Sequence, residues 1–171
     1  MVDIAYIVLG TYLLVAMLFD LATYRVSNKL ILLGLLFGLV LQISRYQIWG
    51  ILYFSIGVFT PILILFVLFL GNVLGSGDIK LFSVISGSLG VSIGIQCIWY
   101  SFIAGAILAI ILLVFRNNFL LRFQHFFQYL KTCFISKSMD VYCEKGRRDK
   151  STFHFTTAIF VGFLCLAIVQ P

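Results

Sequence analysis

The sequence predicts an all-α, polytopic integral membrane protein, folded as a six-helix transmembrane bundle. Hydrophobic residues make up 62% of the 171 and charged residues 11%, whereas soluble domains run about 45–50% apolar and about 25% charged. Mean hydropathy is +1.12. Charge is absent from residues 4–19, 30–44, 46–77, 81–115 and 151–171, and a membrane helix needs only about 20 predominantly apolar residues. Soluble-core, coiled-coil and disordered folds are excluded by the same composition.

The first span, residues 4–24, reads as a crossing. A secretory signal wants a basic segment before its apolar run, and here that segment carries Asp3 and no Lys or Arg. The second span, 30–44, is short. The third, 48–70, holds Pro61 midway, where a missing donor kinks a helix. Residues 81–115 would stretch about 52 Å as one helix, against a hydrocarbon core of about 30 Å. They divide into spans at 79–91 and 93–115 with a tight turn somewhere in 90–99. The sixth span is 153–169. Tyr46, Trp49, Trp99 and Tyr100 fall near span ends, where interfacial aromatics gather.

Between the last two spans lies a basic loop, 116–152, within what reads as a single domain covering 1–171. Phe119, Phe123, Phe126, Phe127, Leu130 and Phe134 recur at three- and four-residue steps, predicting an amphipathic helix lying in the membrane interface. Cytoplasmic loops carry the Lys/Arg excess. With both termini outside, Arg25, Lys29, Lys80, Arg116, Arg122, Lys131, Lys137, Lys145, Arg147, Arg148 and Lys150 all fall inside, and Arg45 alone of the 12 basic residues falls outside. The net charge of +6 therefore marks orientation at the cytoplasmic membrane.

Two of the six acidic residues, Asp20 and Asp78, sit at the edges of apolar spans, where ionisable groups are functional candidates. The topology puts both at the cytoplasmic ends of their helices. Two neighbouring carboxyls share a proton. The ionised one draws a proton from water, and the protonated one donates to a scissile carbonyl. Each also has a structural role open to it. Asp78, after a glycine turn, suits a helix N-cap, and Asp20, badly placed at a helix C-terminus, can pair with Arg25. Gly75 and Gly77 allow positive φ and a close approach of backbone, so an extended peptide can lie along that turn. Asn28 suits either an Asx-type bond that holds the loop beside Asp20 or a contact to substrate. Lys80, two residues from Asp78 on a helix, points elsewhere and serves as a topology signal.

Gly75-Ser76-Gly77-Asp78-Ile79-Lys80-Leu81 and Asp20 followed by Asn28-Lys29-Leu30 resemble the two motifs of the prepilin peptidase family, Gly-x-Gly-Asp-(Ile/Val)-Lys-Leu and Asp…Ile-Pro-Asn-x-Leu. The resemblance implies that Asp20 and Asp78 are the catalytic pair, supported by Gly75, Gly77, Lys80 and Asn28. It implies an aspartyl endopeptidase that removes the short basic leader of a prepilin or pseudopilin at the cytoplasmic face, with the lipid bilayer as its other partner and no nucleic acid. Val26-Ser27 stands where the family has Ile-Pro, and Phe153–Ile159 lacks the proline that often opens the family's last span.

Cys97, Cys133, Cys143 and Cys165 show none of the Cys-x-x-Cys spacing of the bifunctional members, and no extra domain is expected before Ile4. A peptidase without N-methyltransferase activity is the expectation. Zinc sites want close ligand pairs, so no metal and no cofactor is expected. Cys133 and Cys143 should be free thiols in a reducing cytoplasm. Two other readings fit less of the pattern. One is a non-catalytic membrane scaffold with Asp78 as a cap. The other is a presenilin-like protease, whose Pro-Ala-Leu signature is missing.

Overall fold

The computed structural model describes residues 2–23, 26–71, 73–115 and 155–169, and every element among them is helical. They form α1 (Val2–Thr23), α2 (Asn28–Tyr46), α3 (Trp49–Leu70), α4 (Ser76–Leu89), α5 (Val91–Phe115) and α6 (Phe155–Val169). The expected interfacial helix at 119–134, along with Cys133 and Cys143, lies outside the described residues. Two compact units emerge, one of Met1–Gly105 with His154–Pro171 and one of Ala106–Phe153. The second is described only over the end of α5.

Four helices, α1, α2, α3 and α5, are long and apolar enough to cross a membrane. α4 and α6 are shorter, at 14 and 15 residues. The second span is not short after all. α2 begins at Asn28, because Leu30 and Ile31 both donate their amides to the carbonyl of Ser27, and it runs on to Tyr46. The turn expected within 90–99 is a single residue, Gly90, whose φ of +102° lies in the region that favours glycine.

α4 is the buried centre of the first unit, with Ile79 and every residue from Leu81 to Leu89 buried. It packs against α2 and α3, which also pack on each other, while α1 packs on α6. The faces turned to it are lined with small residues. On α2 the buried positions are Ile31, Gly34, Gly38 and Gln42. On α3 they are Gly50, Gly57, Pro61 and Leu65. A Cβ on Gly57 would lie 2.5 Å from the Ser86 carbonyl oxygen, so glycine is required for the helices to approach this closely. Close packing through small residues drives helix association where lipid offers no hydrophobic gain.

Pro61 stands four residues after Gly57 on the same buried face. The carbonyl it leaves without a helical donor is therefore shielded from lipid. At the far end of α4 the last carbonyls have no partner within the helix. Gln42, only 2% exposed, fills this role from α2, its Nε2 donating to the Gly87 oxygen at 3.1 Å and to the Ser88 oxygen at 3.3 Å. Tyr46, Trp49 and Trp99 are exposed, as an interfacial belt requires, but Tyr100 is partly buried against the core.

Candidate functional site

α4 opens after Gly75, whose backbone is extended at φ −74° and ψ 148°. Asp78 is therefore the third residue of the helix and not its N-cap. Its carboxylate reaches back to the cap. Oδ2 lies 3.1 Å from the point a Gly75 Cβ would occupy, and the Gly75 amide donates to it, the reach of the third-position acid in a capping box. Gly75 and Gly77 do not adopt the positive φ expected of them, since Gly90 is the positive-φ glycine among the described residues. The absent side chains serve approach instead. A Cβ on Gly77 would lie 3.4 Å from Val26 Cγ2, so the segment leading into α2 rests directly on the first turn of α4.

A second tie joins the same two elements. Lys80 Nζ donates to Asn28 Oδ1 at 3.0 Å. This replaces the local Asx role expected of Asn28, and it gives Lys80 a partner across 52 residues of chain. Val26 on Gly77 and Asn28 on Lys80 together clasp the approach to α2 onto the helix that carries Asp78. The stiffness a proline would have supplied at Val26-Ser27 comes here from contact.

Asp20 is partly buried one turn from the end of α1. The Arg25 suggested as its partner lies outside the described residues. Asp20 Oδ2 accepts a hydrogen bond from Thr156 Oγ1, on the second residue of α6. A carboxylate disfavoured at the C-terminus of its own helix is thus placed beside the positive N-terminal end of another.

The charge of Asp20 acts on Asp78. Asp78 stands ahead of the apolar stretch of α4 and outside the four long apolar helices. Burial pushes its carboxyl up to about 6 from an ordinary 3.8, the Asp20 charge raises it further, and the Gly75 amide opposes. Two carboxyls from different helices thus come together at one end of the first unit, a pairing that can move two protons during hydrolysis.

The six residues read from the sequence all fall at this end of the first unit: Asp20 with Asp78, Asp78 with Gly75, Asn28 with Lys80, and Gly77 against Val26. Two participants escaped notice, Val26 and Thr156. Thr156 is a polar residue early in an apolar run, but Thr152 and Thr157 flank it, and nothing in their order says which one meets Asp20.

A family model described as the type IV leader peptidase family matches residues 7–110, more than half the chain. The matched stretch contains Asp20, Asn28, Gly75, Gly77, Asp78 and Lys80, and ends before α6 begins. No curated protein and no solved structure matches the chain.

Proposed function

The chain belongs to the type IV leader peptidase family, and from that premise we propose that it is an aspartyl endopeptidase that trims type IV prepilin-like precursors. The cut removes a short basic leader just ahead of the precursor's hydrophobic helix. The observation that carries this reading is that Asp20 and Asp78, 58 positions apart and on different helices, lie close enough for the charge of one to raise the other. Water adds to the scissile carbonyl as one carboxylate takes its proton and the other carboxyl protonates the carbonyl oxygen. Collapse of that intermediate breaks the C–N bond. A proton goes to the leaving amine, and the second acid recovers its own. The Ser76 and Gly77 amides, which precede the Asp78 and Ile79 amides bonded to the Gly75 carbonyl and have no acceptor within the helix, supply donors for an extended substrate.

In the orientation that places eleven of the 12 basic residues inside, this reaction occurs at the cytoplasmic face. α4 and α6 then complete a six-span bundle with the four long helices, and Gly75, Gly77, Asn28 and Lys80 shape the substrate turn. The enzyme is a peptidase without N-methyltransferase activity.

The test is co-expression with a precursor bearing a basic leader, a glycine and a hydrophobic helix, followed by mass measurement of the product's terminus. Asp20→Asn and Asp78→Asn should each reduce leader removal at least about 100-fold, the scale of a lost general acid or base. Normal processing by either variant at equal protein level overturns the paired-carboxylate mechanism.

A further inference from the structure

We infer that Thr156 is a positioning residue for the cleavage, one that fixes Asp20 as the carboxylate receiving water's proton and leaves Asp78 to donate. This deepens the proposed peptidase activity and rests on it. The bond from Thr156 Oγ1 to Asp20 Oδ2 joins residues 136 apart. Thr156 is 3% exposed, so water offers its hydroxyl little competition.

Several other hydroxyls on these helices turn inward on their own backbone. Thr23, Ser55, Thr60 and Ser83 each donate to the carbonyl four residues before them, at 2.7–3.1 Å. Thr156, the second residue of α6, departs from this habit. Its proton goes across to α1. The first-turn amides of α6 lie at the same end and add their partial positive charge to a carboxylate held there.

The donor is also rigidly placed. Phe155 packs edge-on to Phe82 of α4, with ring centroids 6.4 Å apart, and against Phe102 of α5 at 5.5 Å. Deeper in α6, a Cβ on Gly162 would lie 2.5 Å from the backbone nitrogen of Ser101. That contact pins α6 to α5 and leaves Thr156 little room to rotate away.

The two acids therefore have unlike surroundings. Asp20 accepts from a hydroxyl fixed on another helix, and Asp78 accepts from the Gly75 amide at the cap of its own. In the forward step water's oxygen bonds to the carbonyl carbon, its proton passes to Asp20, and the proton on Asp78 passes to the carbonyl oxygen. In collapse the C–N bond breaks, the proton on Asp20 goes to the departing nitrogen, and a hydroxyl proton of the intermediate returns to Asp78. Both acids end as they began.

The experiment compares Thr156→Ser with Thr156→Ala, which both lose the methyl group and differ only in the hydroxyl, and adds Thr156→Val as the nearly isosteric control. Initial rates are measured in liposomes on a purified precursor with a basic leader, with thermal melting of each variant alongside. Thr156→Ser should hold kcat within about threefold of the parent. Thr156→Ala should lower kcat about 10–100-fold with KM within twofold, the scale of a misplaced reacting group. Equal kcat for Thr156→Ser and Thr156→Ala overturns the inference, as does a loss appearing only in KM. If Thr156→Val melts early, the Ser and Ala pair still decides. Asp20→Asn run beside them separates the two claims. If it is inactive while Thr156→Ala is normal, the positioning role alone fails. If it is active, the peptidase mechanism fails first.

Discussion

The two ends of α4 solve opposite problems. Its first turn is open and charged, with Asp78 partly buried, Lys80 exposed, and the chain leading into α2 clasped across it by Val26 and Asn28. Its last turn is sealed, with Ser86, Gly87, Ser88 and Leu89 all buried and the final carbonyls taken up by Gln42. The difference teaches how a small bundle keeps a carboxyl near water without losing its register. Rigidity is built at the sealed end, through glycines that leave no room for sliding, and the end that carries the proposed acid pair is left open.

The comparison breaks most directly by crossing substitutions between the two ends. Asp78→Asn should reduce processing at least about 100-fold yet melt no lower than the parent, because burial already disfavours the charge it removes. Gly57→Ala should do the reverse. Its new Cβ meets the Ser86 carbonyl oxygen at 2.5 Å, an overpacking that costs about 1–3 kcal/mol, read as a lower melting temperature in detergent. Activity below that temperature should fall only modestly. A Gly57→Ala protein that melts normally but fails to cleave would show that the sealed end takes part in chemistry.

A pH profile sharpens the account of the open end. Asp78, pushed up to about 6, holds its proton below that value and loses it above. If it donates to the carbonyl oxygen, kcat/KM should decline as pH rises through about 6, and the limb belongs to the carboxyl pair jointly. A profile flat from pH 5 to 8 would remove Asp78 from the proton-donor role. The smallest expected effect is at the clasp. Lys80→Met deletes one exposed hydrogen bond to Asn28, worth about 1 kcal/mol, and should slow cleavage about two- to fivefold with little change in melting.

The helical architecture and the two acids were legible because both leave local marks. Long uncharged runs declare spans, and an aspartate that ends sixteen uncharged residues (4–19) or stands beside a glycine pair is conspicuous in one dimension. What escaped depends on contacts between distant segments. The length of α2 was underestimated because its start is set by Ser27 accepting from two amides and not by the first apolar residue. Asp78 read as a cap because glycines suggest turns. Ser76 and Gly77 instead join the first turn of α4, where amides need no helical partner. Thr156 and Lys80 find partners 136 and 52 residues away, distances at which no sequence period operates. The Gly34-x-x-x-Gly38 spacing on α2 was readable as a close-approach face, and it does meet Tyr12, Val84 and Ser88.

The brevity of α4 has a further consequence. Fourteen residues rise about 21 Å, short of a hydrocarbon core of about 30 Å. A lone helix of that length would force the surrounding lipid to thin or would itself be drawn off its depth. Sheathed by its neighbours and terminated on an amide side chain, α4 never negotiates with acyl chains. The depth of the aspartate it carries is thus a property of the protein, indifferent to which membrane surrounds it.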